Sequence, residues 1–284
     1  MKQYKGTFTG ERALYDIHDA EIVDSIFEDG ESPLKECSDL SLRQVEFRWK
    51  YPLWYGENIK CIRTTFQEMS RSGIWYTNNI SITDSEIHAP KLFRRCKSVK
   101  LIHCNMDNAL ETFWGTDDIE LINITAKGDY FCLNTSNVKV DGLKLDGNYA
   151  FDGGKNIVIR NAKMDSKDSF WNCENVEVYD SIIVGEYLGW NSKNITFVNC
   201  TIDSLQGMCY MKNIKMVNCK LLNTNLCFEF CEDVDADINS SIDSVKNPYN
   251  GVIKAEKIDE LIMDPKYIDP SKTEIIIKDK DDEI

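Results

Sequence analysis

The chain contains 284 residues, 42% of them hydrophobic, and carries a formal net charge of −14 at pH 7. This acidic balance argues against nucleic acid as a partner, because contacts with phosphate require a basic stripe on the protein surface. Residues 1–8 show no apolar signal core, and no stretch is long and apolar enough to cross a bilayer, so we expect no contact with a membrane.

Nearly the whole chain repeats with a period of about 20 residues, which lies within the range of known solenoid repeats. The first positions of the twelve units are Asp19, Asp39, Asn58, Asn79, Ser98, Asp118, Asn137, Asn156, Asn175, Asn194, Asn213 and Asp233. A fixed period of this length indicates a solenoid, and it is too short for helical repeats, which need about 34 residues or more. The leucine-rich consensus of another repeat class is absent.

Within each unit the second and fourth positions are apolar and the third is polar, as in Ile195, Thr196 and Phe197. Such alternation predicts a strand whose apolar side chains face a core. A second short strand carries residues such as Ile202, and a third carries residues such as Phe170. The sequence therefore predicts an all-β, single-stranded right-handed parallel β-helix of about twelve coils with three strands per coil. The Asn and Asp corners are interpreted as structural ladders.

Three segments follow from the register of the repeat. We expect an N-terminal cap at 1–18, the β-helix repeats at 19–245, and a C-terminal cap with an acidic tail at 246–284, because end coils expose unpaired strands and core. The eleven cysteines fall largely in columns of small residues, which indicates small core fillers and a reduced, cytoplasmic location. No metal or cofactor is expected, since there is no CxxC pair and the three histidines occupy separate columns.

Five of the six tryptophans share one column, four residues before the unit starts. Arg94, Asp152 and Glu229 interrupt this column, and the column just before it is apolar, so alternation predicts that the tryptophans face outward. The candidate ligand-binding residues on this face are Trp114, Trp171, Trp190, Tyr130, Tyr149, Tyr187, Asn172, Asn191, Arg94 and Arg95.

The aromatic column allows three interpretations. Aromatic rings beside acids and amides suit a carbohydrate ligand, which is the preferred hypothesis. The alternative is a non-enzymatic scaffold whose aromatic face docks a protein or a second copy in a homo-oligomer. In the third interpretation the rings only stack on each other, with Arg94 between Trp75 and Trp114. For an enzyme we expect a carbohydrate-active hydrolase, lyase or isomerase, with Asp152, Asp168 and Glu111 as the candidate acids and bases.

Several segments resemble an uncharacterised bacterial family of right-handed β-helix proteins. These segments are GERAL at 10–14, FEDGESPLKE at 27–36, WKYPLW at 49–54, GIWYTN at 73–78, KGDYF at 127–131 and GEYLGWN at 185–191. The resemblance covers almost the entire chain. It implies a domain of unknown function with a pectin-lyase-like architecture, and therefore a fold without an accepted activity.

Overall fold

The computed structural model describes residues 2–278, which form two compact units, 2–147 and 148–278. The predicted acidic tail beyond Lys278 lies outside the described residues. In both units parallel strands of successive coils pair side by side, which is the arrangement of a β-solenoid. No helix within residues 2–278 has the length and apolar character that crossing a bilayer requires.

The first unit is built on a ladder of parallel strands. Its strands are β1 (Lys2–Tyr4), β2 (Thr7–Phe8), β3 (His18–Phe27), β4 (Ser38–Phe47), β5 (Glu57–Ile62), β6 (Thr65–Phe66), β7 (Ile74–Trp75), β8 (Asn78–Thr83), β9 (Glu86–Ile87), β10 (Phe93–Arg94), β11 (Lys97–Ile102), β12 (Asn105–Met106), β13 (Asp117–Lys127) and β14 (Ser136–Asp146). The ladder pairs equivalent positions of the repeat, so that Val99 lies between Ile80 and Ile119. A short 3-10 helix covers Glu68–Ser70.

The second unit continues the same pattern with its own ladder. Its strands are β15 (Lys155–Arg160), β16 (Lys163–Asp165), β17 (Glu174–Tyr179), β18 (Ile182–Glu186), β19 (Lys193–Val198), β20 (Thr201–Leu205), β21 (Lys212–Leu222), β22 (Glu232–Ile238), β23 (Ser241–Lys246), β24 (Gly251–Ala255), β25 (Lys257–Ile262) and β26 (Thr273–Ile277). Here Ile195 pairs with Val176 and Ile214. A 3-10 helix covers Pro270–Lys272.

The predicted fold class, an all-β parallel solenoid, is confirmed, but the count of twelve coils is not. The described residues make about 15 turns, because β1 pairs with β3 ahead of the first predicted unit and β24 and β26 extend the ladder beyond the last. At this end the step changes: Val234 pairs with Gly251 after a coil shorter than the regular period, and Gly251 pairs with Thr273 after a longer one. A constant period cannot detect such coils.

The prediction of three strands per coil is also not confirmed. The third side of a coil follows the second strand and leads to the next unit. Within residues 2–278 it forms paired strands only at β7 and β10, and an isolated bridge joins Arg94 of β10 to Trp114. In the later coils core residues such as Phe151 and Phe170 adopt left-handed backbone, with φ of 63° and 60°. Alternate left-handed residues curl the chain out of an extended strand, so this side is a series of turns.

The core and the corners follow the columns of the sequence. Ile157 and Ile159 are fully buried, and burial of each such side chain stabilises the fold by about 1.5–3 kcal/mol. At the corners the side-chain amides bond in series, Asn213 to Asn194 and Asn194 to Asn175, both at 2.8 Å. These Asn residues have left-handed backbone, which Asn tolerates better than most residues. The predicted structural role of the Asn column is confirmed.

The eleven cysteines are free and buried. The Cys173 thiol donates to the Phe151 carbonyl of the preceding coil at 2.9 Å, and the Ser192 hydroxyl makes the equivalent bond to Phe170. Burial raises the pKa of Cys173 to about 12, so it stays a thiol. Cys and Ser therefore exchange in this column because both are small donors, which agrees with the prediction of core fillers.

Candidate functional site on the third side

The first-unit face, which consists of Trp54, Trp75, Arg94 and Trp114, is a closed stack. The rings of Trp54 and Trp75 lie 5.3 Å apart with an interplanar angle of 8°. The Arg94 guanidinium lies 4.8 Å from the Trp75 ring and 4.6 Å from the Trp114 ring. The predicted sandwich of Arg94 between two indoles is thus confirmed, and it covers the ring faces that a ligand would need.

The polar groups of the first-unit face are also committed, except the Arg94 Nε, which is buried without a hydrogen-bond partner. The indole N–H groups of Trp54, Trp75 and Trp114 donate to main-chain carbonyls at 2.6, 3.1 and 3.0 Å. Glu111 forms ion pairs with Lys91 at 3.0 Å and with Arg94 at 3.3 Å. Each of these groups that could recognise a hydroxyl therefore already has a partner within this stack.

Two other predicted residues flank the same stack. Tyr130 meets Trp114 edge to face, with centroids 6.2 Å apart. Arg95 is exposed and lies over the ring of Tyr76 at 5.9 Å. The structure thus places Arg94, Arg95, Glu111, Trp114 and Tyr130 around one ladder of stacked side chains.

The second-unit face consists of Trp171, Asn172, Tyr187, Trp190 and Asn191, and its rings pack more loosely. Trp171 and Trp190 lie 5.9 Å apart and are tilted by 37°. Tyr149 meets Trp171 edge on, with centroids 6.1 Å apart and planes at 89°. Trp54, Trp75, Trp171 and Trp190 are all half-buried, so the two faces differ in the tilt of their rings rather than in their exposure.

The series of rings changes column after Trp190. The next residue in the tryptophan column is Cys209, which is small, so Tyr210 from the adjacent column packs against Trp190 at 4.8 Å and 42°. Phe230 and Tyr249 continue the series at 5.5 and 5.6 Å. The sequence did not predict this continuation, because it leaves the column on which the periodicity was read.

Two polar groups on the second-unit face are uncommitted. The Trp171 indole donates to the Tyr187 carbonyl, 16 residues on, at 2.7 Å. The corresponding carbonyl for Trp190 belongs to Gln206, and it accepts instead from the Cys209 thiol at 3.3 Å. Among the described residues, no group accepts a hydrogen bond from the Trp190 indole, which leaves its N–H available to a ligand.

The amides beside these rings form a short ladder with a free end. Asn191 donates to Asn172 at 2.9 Å, and Asn172 donates to Asp152 at 3.0 Å. Within residues 2–278 nothing donates to the side-chain carbonyl of Asn191, which is exposed. Asp152 accepts the hydrogen bond at one end of this ladder. At the other end the side-chain carbonyl of Asn191 has no donor among the described residues, and the preceding residue, Trp190, has an indole N–H without an acceptor.

Asp168 is buried, with 9% of its surface exposed, whereas Glu111 and Asp152 are only half-buried. Burial raises its pKa, the nearby Glu186 adds to this rise, and a hydrogen bond from Tyr149 opposes it. One of its carboxyl oxygens is buried without a hydrogen-bond partner. These features are typical of a carboxyl that keeps its proton to higher pH than a solvated one.

An ion pair of a buried carboxylate with a half-buried lysine was missed by the sequence reasoning. Glu229, which occupies the tryptophan column, is 6% exposed and pairs with Lys246 at 2.7 Å. Gln206 donates to the same carboxylate at 3.1 Å. The sequence signal was the acidic residue in an aromatic column. Lys246, however, lies past the regular repeat, so no column assigned it as the partner.

Comparison with known proteins assigns the family. The model of a family described as protein of unknown function (DUF3737) matches residues 2–276. The chain belongs to this family. The predicted relationship to β-helix proteins of unknown function is therefore confirmed. A search of curated proteins found no match.

The chain is similar to several solved structures at low sequence identity. The A-module of the mannuronan C-5 epimerase AlgE6 from Azotobacter vinelandii is 11% identical, with a TM-score of 0.52, over 93% of this chain and 89% of that chain. PfbA, a surface adhesin of Streptococcus pneumoniae, is 9% identical with a TM-score of 0.48, over 83% of each chain. The tailspike protein of Escherichia coli bacteriophage HK620 is 10% identical with a TM-score of 0.33, over 90% of this chain and 63% of that chain.

Proposed function

We propose that the second-unit face binds a carbohydrate. The observation that carries the proposal is that two consecutive residues, Trp190 and Asn191, have an indole N–H and a side-chain carbonyl without a hydrogen-bond partner among the described residues. Adjacent hydroxyls of a sugar each donate and accept hydrogen bonds, so a neighbouring donor and acceptor on the protein match them. The tilted rings of Trp171 and Trp190 supply apolar surface for the C–H face of the sugar.

The first-unit face contributes little to this function. Arg94 lies over the Trp114 ring and pairs with Glu111, and the Trp114 indole N–H donates to the Tyr130 carbonyl. A ligand would have to break these contacts before it could bind, and the broken contacts would offset its own. Of the predicted ligand-binding residues, those of the second unit are therefore the ones that we assign to the sugar.

If the bound sugar is also modified, Asp168 is the carboxyl that we assign to proton transfer. Its raised pKa brings it closer to neutral pH, where a general acid is most effective. Asp152 is engaged by Asn172 and Glu111 by two cations, so neither is as available for a proton. The fold is shared with an epimerase named for a polysaccharide, mannuronan, which makes polysaccharides the first ligand class to test.

A glycan array that includes neutral and acidic saccharides tests this function, followed by titration of the full chain with each glycan that binds. Asn191→Ala should weaken binding about 3- to 10-fold, since one hydrogen bond contributes about 0.5–1.5 kcal/mol. Trp190→Phe keeps an aromatic ring but removes the N–H, and we expect a loss of similar size.

Asn213→Ala is the matched control, because Asn213 is also an exposed amide in a ladder of the second unit but lies in the corner column. It should bind as the unaltered protein does. Equal losses for Asn191→Ala and Asn213→Ala would assign the effect to stability. An array without any binding would overturn the proposal.

The alternative is that the same face docks a protein or a second copy, and exposed rings favour it. Tyr187 and Tyr210 are 37% and 44% exposed. Sedimentation of the full chain over a range of concentrations distinguishes the two functions. A dimer that Tyr210→Ser converts to a monomer would support docking, and a monomer at all concentrations would remove the second copy as the partner.

A further inference from the structure

The C-terminal end of the second unit contains a cleft with a volume of about 600 Å³. Ligand pockets in proteins measure about 300–1,000 Å³, so the cleft has room for one sugar-sized molecule. Tyr249 and Tyr267 line it and are 40% and 63% exposed. Phe230 packs against both rings, with centroid distances of 5.6 and 6.1 Å, and so fixes their positions.

The walls of the cleft are held by hydrogen bonds and burial. On one side Asn250 and Asp233 bond reciprocally: the Asn250 amide donates to the Asp233 carboxylate at 2.7 Å, and the Asp233 main-chain N–H donates back at 3.0 Å. On the other side the Asp264 N–H donates to the Asn247 side chain at 2.8 Å, and Ile268 is 7% exposed. A site with walls fixed in this way loses little entropy when a ligand binds.

The acids that line the cleft form an ion pair or hydrogen bonds with other residues, whereas its lysines form no ion pair with the described residues. Glu232 pairs with Lys212 at 2.9 Å. Asp269 accepts from both the N–H and the hydroxyl of Ser271, and these bonds lower its pKa. Lys266 and Lys272 are exposed and line the cleft, yet neither forms an ion pair with any residue from 2 to 278.

Both ammonium groups are therefore available to an anion, whereas Lys246, Lys257 and Lys278 each pair with a carboxylate. We propose that the cleft binds a sugar-sized ring that carries a single anionic group, a carboxylate or a phosphate. The ring lies against Tyr249 and Tyr267, and the anion contacts Lys266 and Lys272.

The experiment is titration calorimetry of the full chain with glucuronic acid, glucose 6-phosphate and glucose. A ligand of this size is expected to bind with a Kd of about 1 mM. Both anionic sugars should bind at least about tenfold more tightly than glucose, and added salt should weaken them because exposed charges are screened. A preference between the two anionic sugars identifies the anion. Equal affinity for all three sugars, or no heat with either anionic sugar, would overturn the proposal.

Variants locate the bound ligand. Tyr267→Ala and the double variant Lys266→Gln/Lys272→Gln should each weaken the anionic sugars about 3- to 10-fold, as expected for the loss of one or two contacts. Lys220→Gln is the control, since Lys220 is exposed on β21 and does not line the cleft. Its affinity should be unchanged. Cleft variants that bind like the unaltered protein would contradict the site.

This inference does not rest on the function proposed for the second-unit face, and the variants separate the two. Asn191→Ala should leave the cleft ligand unaffected, and Tyr267→Ala should leave the glycan on the second-unit face unaffected. If the anionic sugars are lost in Asn191→Ala and retained in Tyr267→Ala, the cleft proposal fails and the second-unit face stands.

Discussion

The first-unit face and the second-unit face are built from the same column of the repeat, yet they differ in what they leave open. In the first unit, parallel indoles and Arg94 cover each other, and each indole N–H reaches a carbonyl of the next coil. In the second unit the rings tilt, and the Trp190 N–H has no acceptor among the described residues.

In these two coils the contacts of a tryptophan depend on the residue that follows it in the column. Where Trp75 is followed by Arg94, a guanidinium covers the ring and also pairs with Glu111. Where Trp190 is followed by Cys209, the small thiol takes the carbonyl that an indole would use. A tryptophan of the same column is therefore stacked against a guanidinium in one coil and keeps an indole N–H without an acceptor among the described residues in another.

Trp75 and Trp190 occupy equivalent positions of the column, so replacing each with alanine tests whether the two faces differ in stability. Trp75→Ala should lower the free energy of unfolding by about 3 kcal/mol, toward the lower end for large-to-small changes because the ring is half-buried. Trp190→Ala should lower it by only about 1–2 kcal/mol, since its ring packs at a tilt and its N–H makes no bond to lose. Urea unfolding of both variants measures the difference.

Glycan titration of the same pair supplies the control. Trp75→Ala should keep the affinity of the unaltered protein, and Trp190→Ala should lose most of it. Equal destabilisation by the two substitutions, together with equal affinity, would show that the two faces are equivalent and that neither binds the ligand.

In the second unit a carboxylate, Glu229, replaces a ring in the column and pairs with Lys246. Lys246→Met leaves Glu229 buried without its cation, and we expect a loss of about 3 kcal/mol of unfolding free energy. Adding Glu229→Met should recover most of that loss, as apolar residues can replace a buried pair. Denaturant unfolding of the single and double variants is the measurement. A double variant as unstable as the single one would contradict the interpretation.

Most of the fold could be predicted from the sequence because each coil repeats the same chemistry. Columns such as that of Ile157, Val176 and Ile195 face the core in every coil, and the amide ladder needs only an Asn at a corner. The added coils escaped prediction because one is shorter and the next is longer than the regular period. Left-handed backbone at Phe151 also escaped, since phenylalanine gives no signal for it.

The candidate site was predicted only in part, for a related reason. Alternation placed the tryptophans on one face, and their spacing identified the Arg94 sandwich. An indole N–H has no acceptor when no main-chain carbonyl of the following coil is available to it. The pattern of side chains in the sequence does not predict the position of that carbonyl. The ion pair of Lys246 with Glu229 joins residues outside the regular period, so it too required the three-dimensional structure.

Removing the cation from the first-unit face should open it partially. Arg94→Met deletes two ring contacts and the bond to Glu111, and we expect a loss of about 1–2 kcal/mol. Arg94→Lys should recover less than half, since a compact ammonium cannot lie flat between two indoles. Thermal unfolding followed by circular dichroism measures both variants. Full recovery by lysine would mean that charge alone, without planarity, holds this stack.

The smallest effect concerns Asp168 and depends on pH. Burial raises the pKa of Asp168 above its unfolded value of about 3.9, so the folded protein binds the proton more tightly than the unfolded chain does. The protein should therefore lose stability as pH rises from about 3.9 through the folded pKa, and keep this penalty at higher pH.

Asp168→Asn has no charge to desolvate, so it should be more stable than the unaltered protein at pH 7, by on the order of 1 kcal/mol. The gain should vanish near pH 3, where the carboxyl is protonated in both states. Urea unfolding at several pH values tests this. Asp165→Asn is the control, because Asp165 is exposed on β16 and should change stability little at any pH. A gain that is equal at pH 3 and pH 7 would mean that folding does not raise the pKa of Asp168. That result would contradict the assignment of Asp168 to proton transfer.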